Sequence, residues 1–312
     1  MSAKSAEPRA VARRTRLRAA KKSAGTGRQT GPFFVGPGVT LLPAIRVPVC
    51  SFCCARNHSA TRSSFHHLHS LSPMLPIIFA VFGFCFILER LIPGWKLPAV
   101  PTWTIRVLAV NFIQLGIVTL AGFTWERWLA SASLFHLSAH VGPVVGGIIA
   151  YFIATFIFYW WHRWRHTVDF LWLYFHQIHH SPQRIEVITS FYKHPLEMTV
   201  NSIIGSLLVY TFLGLSLEAG AIYTLCTALG EFFYHTNVKT PKWIGYIFQR
   251  PEMHRIHHEY NKHTNNYGDI VWWDMLFGTY ENPKEFTTSC GFDNEKEQRL
   301  ADMLKFRDVH TE

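Results

Sequence analysis

The chain has few cysteines and no disulfide pattern. Six are spread over 312 residues: Cys50, Cys53 and Cys54 lie near the amino terminus, and Cys85, Cys226 and Cys290 are scattered singly. With no series of CxxC pairs and no even framework, a disulfide-stapled secreted domain is excluded, and the soluble parts belong on a reducing, cytosolic face. No P-loop or GxGxxG occurs in a strand–helix context, which excludes nucleotide-driven chemistry. Acids are scarce in one place only. Residues 1–73 carry twelve Lys and Arg against Glu7 alone, a balance of +11, whereas the remaining residues carry eighteen against nineteen, a balance of −1. The overall charge of +10 therefore belongs to the amino-terminal extension, and the rest of the chain offers no basic face for nucleic acid.

Residues 1–73 are rich in Arg, Ser, Gly, Pro and His and lack sustained periodicity, so they are expected to form a disordered basic extension, either transit-like or non-native. The chain is 49% hydrophobic, and from Met74 onward its apolar residues are gathered into long blocks, the pattern of a membrane protein. Leu75–Leu88 gives fourteen uncharged residues, about 21 Å of helix, which reaches across the hydrocarbon core only if Glu89 and Arg90 snorkel. Val107–Trp125 and Gly142–Trp161 run for nineteen and twenty residues without charge, long enough to span. Met198–Phe233 is apolar apart from Glu218 and Glu231 and breaks near Leu213-Gly-Leu-Ser-Leu-Glu218, which predicts a helical hairpin of short or partly immersed helices. If the first three blocks cross, His162 emerges on the side that also carries Arg163, Arg165, Arg184, Lys193 and Arg250, the cytosolic side by the positive-inside tendency. The same count places residues 1–73 opposite, against that tendency, which fits a cleaved or non-native extension or a first block that does not cross.

Eight of the eighteen histidines fall in three boxes: His162-Arg-Trp-Arg-His166, His176-Gln-Ile-His179-His180 and His254-Arg-Ile-His257-His258. Residues three and four apart share a helix face, so each box presents its imidazoles side by side. Eight neutral imidazoles exceed what one tetrahedral zinc can use, which points to two metal ions. A zinc protease needs a glutamate base in HExxH, and no box carries one. Iron is favoured because two ions with open positions allow O₂ chemistry that redox-inert zinc does not support. Box one follows Tyr159-Trp160-Trp161, an aromatic belt at headgroup level, so the metal site should lie just beneath the membrane surface.

These boxes, together with Ser190-Phe-Tyr-Lys-His194-Pro-Leu-Glu197, Phe233-Tyr-His235-Thr-Asn237, Asn266-Tyr-Gly268 and Trp273-Asp274-Met-Leu-Phe277-Gly278-Thr279, resemble the fatty acid hydroxylase superfamily, which includes sterol desaturases, sterol methyl oxidases, sphingolipid hydroxylases and alkylglycerol monooxygenase. The resemblance covers roughly residues 75–285. It implies an all-α integral membrane protein of about four to five transmembrane or partly immersed helices with a cytosolic helical cap holding the histidine boxes. It also implies a di-iron centre that uses O₂ and an external electron donor to hydroxylate or desaturate a lipid C–H bond, in the endoplasmic reticulum or a bacterial inner membrane. The expected ligands are the eight box histidines, with His235 added as the solitary histidine between boxes two and three. His194 could ligate, or Pro195 could hold it in a structural role.

Five carboxylates lie near the boxes: Asp169, Glu197, Glu231, Asp269 and Asp274. A metal-bound imidazole commonly gives its other N–H to a carboxylate, and Glu197, Glu231 and Asp274 are assigned that role, with helix capping or a solvated face as the alternative. Glu231 stands one turn before His235 on the same face. His263 reads as a surface imidazole, His136 and His140 as an interfacial pair, and His66, His67 and His69 as incidental. Trp160, Trp161, Trp164, Phe191 and Tyr192 could wall a path for lipid. Residues 74–285 form the expected catalytic domain and 286–312 a solvated tail. Two other readings stand beside the main one: an ether lipid monooxygenase drawing electrons from tetrahydrobiopterin rather than from an electron-transfer protein, and, more remotely, a membrane metal transporter or sensor, which would place its ligands within the spans.

Overall fold

The computed structural model describes residues 74–129 and 131–311, so the expectation for residues 1–73 lies outside the described residues. The described chain is all-helical apart from two isolated bridges, Phe248 with Ile270 and Glu259 with Cys290. Among the described residues three helices are long and apolar enough to cross a membrane: α1 (Met74–Leu91), α2 (Trp103–Phe123, continued by Trp125–Leu129) and α3 (Pro143–Thr167). Their apolar side chains face outward: Phe79, Phe84, Ile105, Phe112 and Val144 are all more than half exposed, the arrangement of helices solvated by lipid.

The expected snorkelling of Glu89 is not seen. Glu89 is buried, and its Oε2 accepts from the backbone N–H of Val187 (2.9 Å) and of Asn237 (3.0 Å), so it caps two loops of the histidine layer while Arg90 bridges to Glu186 (2.9 Å). The predicted hairpin is present. Helix α4 (Pro195–Ser206) continues as a π-helical stretch over Leu207–Phe212, turns at Leu213–Ser216 through Gly214 with φ of 65°, and returns as α5 (Leu217–His235).

Helices α3 and α5 pack most closely of all. A Cβ on Gly147 would lie 2.6 Å from Ile222 and 2.7 Å from the carbonyl of Ala219, so only glycine permits this approach. The contact aligns the two helices so that their last turns, bearing His162, His166 and His235, end at the same level. The other box histidines come from the helical turns over residues 172–180 and α6 (Pro251–His257), while α7 (Trp272–Phe277) packs back along the middle of α3 through Trp273.

The carboxy-terminal segment is not a solvated tail. Phe292, Met303 and Val309 are buried in one core cluster with Trp103, Val107, Ile178 and Tyr192, and Glu297, fully buried, pairs with Arg106 at 3.0 Å. The apolar positions of this segment are widely spaced and carry no long periodicity, yet they join one cluster between α2 and the turn carrying box two.

Candidate metal centre

Nine histidines converge, and they do so as two groups. His162, His166, His176, His180 and His257 form one and His179, His235, His254 and His258 the other; within each, one ring nitrogen per residue lies within 4.8 Å of all the rest. The boxes divide by spacing rather than acting as units. In each box the i,i+4 pair (162/166, 176/180, 254/258) joins one group. The middle histidine of boxes two and three, His179 and His257, goes to the other. On an α-helix the fourth residue sits about 40° round from the first and the third about 60° round in the opposite sense, so an HxxHH turn wedged between two centres serves both. The expectation that each box presents all its imidazoles to one side is corrected on this point.

The outward nitrogens are held. Nδ1 of His162 donates to the carbonyl of Tyr267 (2.8 Å), that of His257 to the carbonyl of Asn265 (2.7 Å) and that of His235 to the carbonyl of Glu231 (2.8 Å). Nδ1 of His254 donates to Gln249 Oε1 (3.1 Å), whose Nε2 in turn donates to the carbonyl of Asn266. Nδ1 of His179 faces the carbonyl of Tyr192 at 3.3 Å. Such bonds fix the tautomer and leave Nε2 as a bare lone pair directed inward. Nε2 of His162, His166, His257 and His258 is buried without a hydrogen-bond partner. Nε2 of His235 and His254 face each other at 3.0 Å, and those of His176 and His180 at 3.2 Å. Buried lone pairs pointed at one another and at empty-handed neighbours are costly unless a cation lies among them. The residues therefore fit two imidazole-bound metal ions, and an all-nitrogen donor set suits iron, copper, nickel or zinc.

Burial keeps these imidazoles neutral. Desolvation first, and neighbouring rings after it, hold His176, His179, His180, His254 and His258 well below the ordinary histidine value, with Arg165 adding to the effect at His176 and Lys193 at His179; desolvation pushes His257 down to about 3. Neutral rings are the ligand form.

The carboxylates sit one layer out, with three different roles. Glu197, fully buried, bridges the Arg165 guanidinium and Nδ1 of His176 (3.2 Å). Glu231 pairs chiefly with Lys193 Nζ at 2.6 Å and lies 3.6 Å from Nδ1 of His235, so a lysine that the sequence pattern did not single out supplies its main partner. Asp274 touches no imidazole. It accepts from the backbone N–H of Tyr267 (2.8 Å) and Gly268 (2.9 Å) and from Thr279 Oγ1 (2.7 Å), and so fixes the strand of loop whose carbonyl holds His162. The expected direct contact is replaced by one acting through backbone.

His194 belongs to neither group. Its Nδ1 accepts from the N–H of Leu196 and caps α4, and Nε2 faces the carbonyl of Leu304, so its position is a structural one. His263, taken from sequence as a surface imidazole, instead meets Nδ1 of His180 at 3.1 Å and stacks near Trp172 and Phe292; burial pushes it down to about 3. Nothing in the polar loop around it signals this, since the contact is made only when box three folds back on box two. His136 and His140 are exposed in a loop remote from both groups. Of the aromatic residues expected to wall a path, Tyr192 is buried, Trp161 is held by Asn201 and Phe175, and Trp160 packs on Phe277 and Trp164.

Residues 147–279, which include every histidine of both groups, match the family model for fatty acid hydroxylase. Over that stretch the chain is similar to the fatty acid hydroxylases. Among curated relatives, it is 32% identical over 134 residues to alkylglycerol monooxygenase of Homo sapiens, covering 41% of this chain and 29% of the human protein. It is 33% identical over 144 residues to ornithine lipid hydroxylase OlsE of Rhizobium tropici (45% and 42%) and 28% identical over 149 residues to sphingolipid C4-hydroxylase sur2 of Schizosaccharomyces pombe (46% and 51%). The hydroxylase domain thus spans about half or less of the length of these relatives. No solved structure matches the chain.

Proposed function

We propose that this protein is a membrane-bound di-iron oxidoreductase that uses O₂ and electrons from an external donor to hydroxylate or desaturate a lipid C–H bond. The observation that carries the reading is the division of nine histidines, seven buried and two half-buried, into a group of five and a group of four, each with unsatisfied nitrogens turned inward. The relatives' names supply the substrate class, since all three act on lipids. His162, His166, His176, His180 and His257 would hold one ion and His179, His235, His254 and His258 the other, with Glu197, Glu231 and Asp274 supporting them from outside. Two iron ions bound there would supply the electrons and open positions needed to activate O₂, which redox-inert zinc does not.

The chain's own part is to orient and exclude. Backbone carbonyls fix the rings of His162, His235 and His257, Glu197 that of His176 and Gln249 that of His254, and the Phe292–Trp172 contact packs the carboxy-terminal segment against the turn that carries box two. We place the histidine layer on the cytosolic face of the endoplasmic reticulum or of a bacterial inner membrane, residues 74–285 as the catalytic domain with the carboxy-terminal segment packed into its core, and residues 1–73 as a transit-like or non-native basic extension. The similarity to alkylglycerol monooxygenase favours one specific second reading, an ether lipid substrate with a reduced pterin as donor in place of an electron-transfer protein. Expression of the full chain and of His179→Ala and His257→Ala in membranes, followed by lipid analysis under air and under argon, tests the assignment: an oxidised lipid should appear only with the unsubstituted chain and only with O₂. The same product from both variants rules the assignment out.

A further inference from the structure

Two short segments outside the three spans expose an unusual amount of apolar surface side by side. Trp243, Ile247 and Phe248 come from the turn following Lys242, and Trp272, Met275 and Leu276 from α7; each is between 41% and 68% exposed. The segments are joined: Trp272 Nε1 donates to the carbonyl of Tyr246 (3.1 Å), and the N–H of Val271 to that of Ile247 (3.3 Å). A contiguous patch of this kind marks a surface that does not face water.

What faces it can be read from where α7 is docked. Trp273 packs on Phe152 and Phe156 with ring centroids 5.6 and 5.0 Å away and donates from Nε1 to Thr155 Oγ1 (2.9 Å); Trp272 lies 6.3 Å from Phe152. Those partners belong to the middle of the spanning helix α3. Phe152 stands ten residues before His162, about 15 Å further along the helix axis into the membrane. Phe152 and Phe156 are themselves about two-fifths exposed on the lipid side, so the patch is continuous with a face that hydrocarbon already covers.

Charge agrees with this position. From Trp243 to Phe248 there is no charged residue, and from Ile270 to Gly278 the only one is Asp274, which is fully buried. The neighbouring loops, by contrast, carry Glu259, Lys262, Glu281, Lys284 and Glu285. A surface for a soluble protein partner would keep a polar rim, whereas segments that meet only acyl chains exclude charge.

We propose that the Trp243–Phe248 turn and α7 form a re-entrant hook that dips from the histidine layer back into the bilayer and lies against α3 among the acyl chains. Its base is the Asp274 clamp on Tyr267 and Gly268, and the Tyr267 carbonyl holds His162, so the hook couples the depth of the lipid surface to the position of a ring in the metal centre. This goes beyond the catalytic reading and does not depend on which metal is bound.

The test is nitroxide labelling of the full chain in lipid nanodiscs, with native cysteines replaced and Leu276→Cys, Met275→Cys or Ile247→Cys introduced. Leu108→Cys on α2 serves as a lipid-facing reference and Lys284→Cys as an aqueous one. All three hook labels should collide with O₂ much more often than with a water-soluble nickel chelate, matching Leu108→Cys. Nickel collision at the level of Lys284→Cys overturns the proposal. So does shielding from both reagents with spin–spin broadening, which would make the patch a contact between two copies of the chain.

Discussion

Nε2 of His235 and Nε2 of His254 face each other at 3.0 Å, while Nδ1 of each ring is engaged with an acceptor, the Glu231 carbonyl and Gln249 Oε1. Two neutral imidazoles so held present lone pair to lone pair, and a cation shared between them turns that repulsion into coordination. His235→Ala should therefore remove the ion of the four-histidine group and leave that of the five-histidine group, halving the metal content measured by mass spectrometry of the purified chain. Full metal content in the variant would show that this pair is not a ligand pair.

Asp274 acts on the other group at one remove. Its carboxylate is the acceptor for two buried backbone N–H groups and for the half-buried Thr279. Asp274→Ala leaves the two buried N–H groups unsatisfied at about 1–3 kcal/mol each and frees the Tyr267 carbonyl from its place against His162. Metal affinity should fall by about 10- to 100-fold, in the range of other outer-layer substitutions, with a lower melting temperature of the metal-free chain. Isothermal metal titration and thermal unfolding in detergent check the two effects separately.

The carboxy-terminal segment should behave as part of the core. Met303 is fully buried against the cluster containing Ile178 and Tyr192, and Met303→Ala should cost about 2–5 kcal/mol. Gln177, inside box two, donates from Nε2 to the carbonyl of Arg307 and accepts from the N–H of Val309, both at 2.9 Å. A chain ending at Arg299 loses both bonds and should lose bound metal more readily than it loses helicity, a difference that circular dichroism and metal analysis on one sample resolve.

Acid should destabilise the protein by a route the buried imidazoles define. Desolvation places His257 and His263 near 3 and holds His176, His179, His180, His254 and His258 below 6.5, the value they regain on unfolding. Below 6.5 the unfolded chain binds protons that the folded chain does not, so stability is present above that pH and is lost as pH falls. The melting temperature should be flat from pH 8 to 7 and drop steadily below about pH 6.5. A flat profile down to pH 5 would contradict the burial of neutral rings.

Much of this was legible in the chain because it depends on local spacing. The i,i+4 histidine pairs, the uncharged blocks and the break at Leu213–Ser216 are all short-range features, and the helices and the nine-histidine assembly follow them. What escaped depends on contacts between distant segments. His263 meets His180 across 83 residues, Glu231 meets Lys193 across 38, and the segment 286–311 enters the core through single apolar residues without a period. The split of each HxxHH box between two centres lies between these cases: the helical angles allow it, but only a second centre on the other side of the turn requires it.

The central claim is that the chain holds two iron ions between its two histidine groups. Iron analysis and Mössbauer spectroscopy of the full chain purified in mild detergent after growth in ⁵⁷Fe test it most directly. The account predicts about two iron ions per chain, matching the two groups, with the spectrum of a coupled pair in nitrogen-rich surroundings. A single ion, or zinc filling both positions in an active preparation, would contradict it.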